Sequence, residues 1–163
     1  MKRLLWFLTF VVIGAGCSKT DDTLTAAEQL VYDVNIIDEY LAENSINAIK
    51  LESGVRYIIT EMGTGPNPTK DHCVTFNYTG YVLYTAEPFE SNTGYKTPLK
   101  ANITGMQIGL KLLPVGSKGS LFIPSGLAYA GNSSATIPRN ANLRFDVEVV
   151  SITDYNALAG YCK

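Results

Sequence analysis

Apolar residues fall on alternate positions in several stretches of this chain, and that spacing limits what it can fold into. Val55, Tyr57 and Ile59 alternate with Arg56 and Thr60, and Val74, Phe76 and Tyr78 alternate with Cys73, Thr75 and Asn77. Residues 121–123 and the run LRFDVEVVSI at 143–152 continue the pattern. A period of two turns one face of a strand to a core and the other to water. The breakers of GTGPNPTK at 63–70 separate the first two strands. Only one internal stretch has helical spacing, residues 105–113, and Pro114 and Gly116 stop it. The expected fold class is therefore α+β: an antiparallel sheet with an apolar face to cover and one short helix to cover it.

Ahead of the sheet, Ala27, Leu30, Val31, Val34, Ile37 and Leu41 recur at helical spacing with no glycine or proline among them. A helix over residues 25–43 follows. Its stripe is too short for a coiled coil, which needs three or four heptads, so it is expected to dock on the main domain. Weak dimerisation is the alternative. The chain has 163 residues, 46% of them hydrophobic and 17% charged, enough for one domain with a core and peripheral segments. Its formal charge of −2 becomes −4 once Lys2 and Arg3 are set aside, a balance that gives no reason to expect a nucleic-acid partner.

Lys2 and Arg3 open a segment with a processing pattern. An apolar run over residues 4–13 follows, broken only by Thr9, then Gly14, Ala15 and Gly16 precede Cys17. The run is too short to span a bilayer, which takes about 20 apolar residues, and fits a signal peptide over residues 1–16. Small residues ending in cysteine resemble the lipobox of bacterial lipoproteins. That resemblance implies a lipid on Cys17, a tether over residues 17–23, and anchorage in the bacterial cell envelope. Ser18, where an acidic residue would retain the protein at the inner membrane, points to the outer membrane. An ordinary secretory signal is the alternative, and either reading exports the chain. Export permits a disulfide between Cys73 and Cys162, but nothing in the sequence brings the two together, and the reading does not count on the bond.

Several chemistries find no support. His72, the single histidine, stands at the head of a strand beside Asp71 and reads as a solvated surface residue. Without a second histidine or a CxxC no metal site is visible. No GxSxG elbow accompanies it for triad hydrolysis. GSKGS at 116–120 lacks phosphate-loop spacing and reads as a turn between helix and strand. No cofactor is expected.

What remains is an ordered set of pieces: FNYTGYV at 76–82, PFESN at 88–92, ITGMQIGLKLLPVGSK at 103–118, LFIPSGLAYA at 121–130 and TIPRNANLRFDVEVVSI at 136–152. Together they resemble the FK506-binding-protein family of peptidyl-prolyl cis/trans isomerases. The resemblance implies a twisted antiparallel sheet wrapped around a short α-helix, with an apolar pocket between them. It divides the chain into an N-terminal helix at 24–45, the family domain at 46–153 and a C-terminal tail at 154–163.

Matched to the family's motifs one by one, Tyr78 is the tyrosine of its Tyr-Thr-Gly and Phe89 the phenylalanine of its Phe-Asp pair. Glu90 stands for the aspartate, one methylene longer. A further aromatic before the helix corresponds to Leu99. Ile103 is the residue whose backbone amide holds a substrate carbonyl, and Met106 replaces the tryptophan of the pocket floor. On the rim, Tyr129 and Ile137 match the family's tyrosine and isoleucine, and Phe145 matches its late-strand phenylalanine. Periodicity alone would make Tyr78 and Phe145 core residues, and Phe76 is kept as core. The resemblance implies proline-containing polypeptides as substrates and catalysis without a nucleophile. Exchanging tryptophan for Met106 implies a lower rate, so a binding or chaperone module that has lost most catalysis is the competing function.

Overall fold

A computed structural model describes residues 24–156 and 161–162; the expected signal peptide, Cys17 and the tether lie outside them. In chain order the elements are α1 (Ala26–Glu43), β1 (Ile49–Lys50), β2 (Arg56–Glu61), β3 (His72–Val82), β4 (Glu90–Pro98), α2 (Thr104–Leu110), β5 (Lys118–Ile123), β6 (Leu143–Asn156) and β7 (Tyr161–Cys162), with 3-10 turns at Leu99–Ala101 and Ser125–Leu127. Among the described residues, six strands form an antiparallel sheet in the order β1-β2-β5-β6-β3-β4, and β7 pairs with the end of β6. The expected α+β class, with a sheet wrapped around a short helix, is what the chain adopts.

The two faces of the sheet are covered by different helices. Inward-facing Val74, Phe76, Tyr78, Leu121, Ile123, Phe145, Val147 and Val149 pack around α2 and form the main core with Leu110, Leu113 and Met106. The sheet side of α2 carries glycines four residues apart. A Cβ on Gly105 would strike the Ile123 side chain, and one on Gly109 would strike Leu121. The helix can therefore lie close against β5, with side chains of the sheet filling the space its own residues leave.

Residues 105–113 were expected to be helical, but α2 ends at Leu110. The chain tightens there into i to i+3 bonds, Leu112 to Gly109 at 2.9 Å and Leu113 to Leu110 at 3.2 Å, because Pro114 disfavours a helical residue before it. GSKGS is only partly a turn. Gly116, at φ +90°, makes the reversal, and Lys118 already begins β5.

α1 docks on the outer face, as expected of it. Thr25 caps it in a reciprocal box with Glu28, which satisfies backbone N–H groups of the first turn. Ile37 and Leu41 bury against Leu83 and Phe122, the latter facing away from the main core. Asp38 pairs with Arg56 and Lys50, each at 2.9 Å. Arg144 donates to the Tyr40 hydroxyl at 3.0 Å.

The cysteines correct the sequence reading. Cys73 and Cys162 are bonded, with Cα atoms 5.6 Å apart. Their meeting depends on β6 running past residue 152 to Asn156 and on β7 returning alongside it, a pairing of two residues that leaves no periodicity to read.

Candidate active site

β3, β4, β6, α2 and the loop after β5 converge on a cavity of about 350 Å³ lined by Phe76, Tyr78, Glu90, Tyr95, Ala101, Asn102, Ile103, Met106, Tyr129 and Phe145. Its aromatic wall follows from strand register. Phe76 and Tyr78 are two apart on β3 and share a face, and Phe145 on β6 stands opposite Gly80. Tyr95 comes across from β4, where it pairs with Phe76. The rings form a connected set: Tyr95 is edge-on to Phe76 at 5.6 Å and to Tyr78 at 5.7 Å, and Tyr78 lies 6.1 Å from Phe145. Such pairs hold one another in place beyond the effect of their burial alone.

Ile103 caps the N-terminal end of α2 in an extended conformation, where backbone N–H groups have no carbonyl one turn back. Two amide side chains fasten the turn that carries it. Asn102 donates to the carbonyls of Pro98 and Leu99, at 3.3 and 3.1 Å. Gln107 donates to those of Asn102 and Lys100, at 2.7 and 3.2 Å. Met106 follows on the same helix and is 3% exposed at the floor of the cavity.

The polar groups sit at the mouth. Burial pushes the Tyr78 phenol far above its ordinary pKa, and its hydrogen bond to the Glu90 carboxylate adds to the effect. The Tyr129 phenol is raised as well, by burial first and then by the charge of Glu90. Both tyrosines therefore stay neutral hydrogen-bond donors through the physiological range. Among the described residues no group of three or more His, Cys, Asp or Glu side chains stands together as a metal site.

Of the nine pocket residues expected from the sequence, six line this cavity: Tyr78, Glu90, Ile103, Met106, Tyr129 and Phe145. Phe89 lies behind the wall, its ring edge-on to Phe145 at 5.7 Å. Ile137 lines an adjoining hollow of about 260 Å³ that shares Tyr129.

Leu99 is a correction. It sits in the 3-10 turn before α2, is 1% exposed in the main core and does not reach the cavity. Tyr95 supplies an aromatic there that sequence reasoning missed, because ESNTGYKTP is an edge strand with no alternation to mark it. Phe76, kept as core, is both core and cavity floor.

A larger depression, about 410 Å³, lies on the outer face of the sheet. Hydroxyl, amide and charged residues, Thr60, Asn77, Lys118 and Glu148 among them, make up most of its lining.

The family profile described as FKBP-type peptidyl-prolyl cis-trans isomerase matches residues 65–150. The FKBP-type peptidyl-prolyl cis-trans isomerase FkpA of Aeromonas hydrophila is 40% identical over 121 residues, which are 71% of this chain and 45% of that protein. The outer membrane protein MIP of Legionella longbeachae is 32% identical over 122 residues, 71% of this chain and 52% of that protein. The crystal structure of FkpA from Escherichia coli superposes with a TM-score of 0.67 at 26% identity, covering 78% of this chain and 62% of that one. This chain thus spans about half the length of the curated relatives it matches.

Proposed function

The chain belongs to the FKBP-type peptidyl-prolyl cis-trans isomerases, and from that premise we propose that it catalyses rotation about X-Pro bonds in polypeptides of the bacterial envelope. The observation that carries the reading is the single cavity that joins an aromatic wall, the Ile103 end of α2 and the Tyr129 phenol.

Rotation about a peptide bond faces a barrier of about 18–20 kcal/mol, and X-Pro bonds are those whose cis form is well populated. The planar amide owes part of its stability to charge-separated resonance, which water favours. The twisted transition state has lost that resonance and is less polar. Transfer into an apolar cavity therefore disfavours the planar state more than the twisted one, which is differential binding. In this reading the prolyl ring rests on Met106 and Phe76 between Tyr78 and Phe145. The Ile103 N–H and the Tyr129 hydroxyl hold flanking carbonyls, so the chain ends are fixed while the bond turns. Glu90 accepts from Tyr78 and orients it, Phe89 backs Phe145, and Ile137 extends the rim beside Tyr129.

Met106 favours a second reading. A flexible thioether replaces the family's rigid ring at the floor, and losing about 1.4 kcal/mol of transition-state stabilisation slows the reaction tenfold. A domain that binds prolyl segments and turns them over slowly would act as a chaperone. A prolyl-peptide isomerisation assay on residues 18–163 separates the two. Acceleration that saturates with peptide marks the enzyme, whereas saturable binding at the uncatalysed rate marks the chaperone.

The location forms part of the proposal. Residues 1–16 act as the signal peptide and Cys17 carries the lipid, with acyl chains contributing about 0.8 kcal/mol per buried CH₂. A relative named for the outer membrane supports that placement. Fatty-acid labelling lost in Cys17→Ser tests the anchor. Val31 and Tyr32 on α1 are exposed, as is Leu24 just ahead of it, and a weak dimer through them would appear as a concentration-dependent mass in sedimentation.

A further inference from the structure

Asp33 is the one buried acid of α1, 1% exposed on a helix that otherwise buries apolar residues. Its carboxylate makes no ion pair among the described residues, and accepts three hydrogen bonds instead. Oδ2 accepts from the Ser125 N–H at 2.8 Å and from the Ser125 hydroxyl at 2.6 Å. Oδ1 accepts from the Gln29 amide at 2.7 Å. Asn142 closes the ring, donating to the Asp33 carbonyl at 3.3 Å and accepting from the Ser125 N–H at 3.1 Å.

Burying a carboxylate is costly unless it is fully hydrogen-bonded, and an apolar side chain at position 33 would have docked α1 more simply. What the carboxylate secures lies 92 residues away in the chain. Ser125 opens the 3-10 turn that leads to Tyr129, and its carbonyl accepts from the N–H of Ala128 at 3.0 Å and of Ala130 at 2.8 Å. These two bonds bracket Tyr129. Ala130 is held at φ +50°, a conformation that alanine rarely adopts. The turn thus depends on contacts from outside its own sequence.

We propose that Asp33 is a positioning residue for the prolyl cavity: through Ser125 its buried carboxylate fixes the 125–130 turn, and so the place of the Tyr129 hydroxyl. The inference rests on the functional reading above, because it assigns Tyr129 a substrate contact. It makes α1 part of the active-site architecture.

The test is a double-mutant cycle between Asp33→Asn and Tyr129→Phe, read as kcat/KM and as affinity for a proline-containing tetrapeptide. An amide at position 33 offers one acceptor oxygen where three donors converge. Asp33→Asn should lower kcat/KM or affinity by roughly tenfold and should have little further effect once the Tyr129 hydroxyl is gone. Amide hydrogen exchange should quicken at Ala128 and Ala130 while β3 and β6 are unchanged. Ser125→Ala, which removes only the hydroxyl, should do the same to a smaller extent and serves if Asp33→Asn fails to fold. Losses that multiply between the two sites, or unchanged exchange at Ala128 and Ala130, overturn the proposal while leaving the functional reading intact. A parent chain that neither turns over nor binds the peptide overturns both.

Discussion

The Phe89 ring stands at 90° to Phe145 with centroids 5.7 Å apart, and the two close over the backbone of Gly80. A Cβ on Gly80 would lie 2.6 Å from Phe89 Cζ and 2.9 Å from Phe145 Cε1. Gly80→Ala should therefore push Phe89 off the wall, destabilise the fold by about 1–3 kcal/mol and weaken prolyl-peptide binding. Gly126→Ala, where a Cβ meets nothing within 4 Å, is the control and should change stability by about 0.5 kcal/mol or less. Urea unfolding and peptide titration read both variants, and equal behaviour of the two would remove the steric argument.

Docking of α1 should depend on acidity. The Arg56 guanidinium holds the Asp38 carboxyl below the usual carboxylate range, with Lys50 adding to it against the opposing effect of burial. A carboxyl depressed in the folded state contributes stability above its unfolded pKa, about 3.9, and that contribution is lost as pH falls through the folded value. Asp38→Asn should thus lower stability by about 1–2 kcal/mol at pH 7 and by progressively less below pH ~4. The same loss at pH 7 and pH 3 in urea melts would contradict the ion-pair account.

The Tyr78 and Tyr129 phenols carry the opposite sign. Both are raised above the ordinary tyrosine value, so the unfolded chain gives up these protons first, and stability should fall as pH climbs above ~10. Removing the acceptor charge with Glu90→Gln should lower the Tyr78 titration without returning it to the ordinary value, because burial is the larger cause. Ultraviolet titration of tyrosinate in the parent and Glu90→Gln proteins measures this. An unmoved curve would separate Tyr78 from Glu90.

Reduction should cost the protein stability without emptying the site. The disulfide closes a separation of 89 residues, and cross-links over long loops are worth about 2–4 kcal/mol. Neither cysteine lines the prolyl cavity. Cys162→Ser should lower Tm by several degrees and leave peptide affinity at 25 °C within about twofold. A large loss of affinity would show that β7 supports the cavity.

Strands β2, β3, β5 and β6, both helices and six cavity residues could be read from the sequence because each lies on an element with a period, or in a motif shared with the family. Tyr95 could not: it belongs to an edge strand exposed on nearly all its length, where no alternation separates a wall residue from a surface one. Leu99 was matched to an aromatic of the family, but a 3-10 turn directs its side chain to the core, and a motif match does not show such a turn. The disulfide was hidden because it depends on a two-residue strand. Asp33 did leave a trace, an acid three residues past Leu30 and four before Ile37 on the apolar stripe of α1, but only the Ser125 contact gives that trace a meaning.

The central claim is that the cavity turns X-Pro bonds, and exchange spectroscopy on a proline-containing peptide tests it without a coupled protease. Uncatalysed interconversion takes roughly tens to hundreds of seconds at 25 °C. The account predicts that residues 18–163 shorten it in proportion to protein concentration, and that Tyr129→Phe and Phe145→Ala each remove most of the acceleration. Interconversion at the uncatalysed rate with the peptide saturating the parent protein would contradict it.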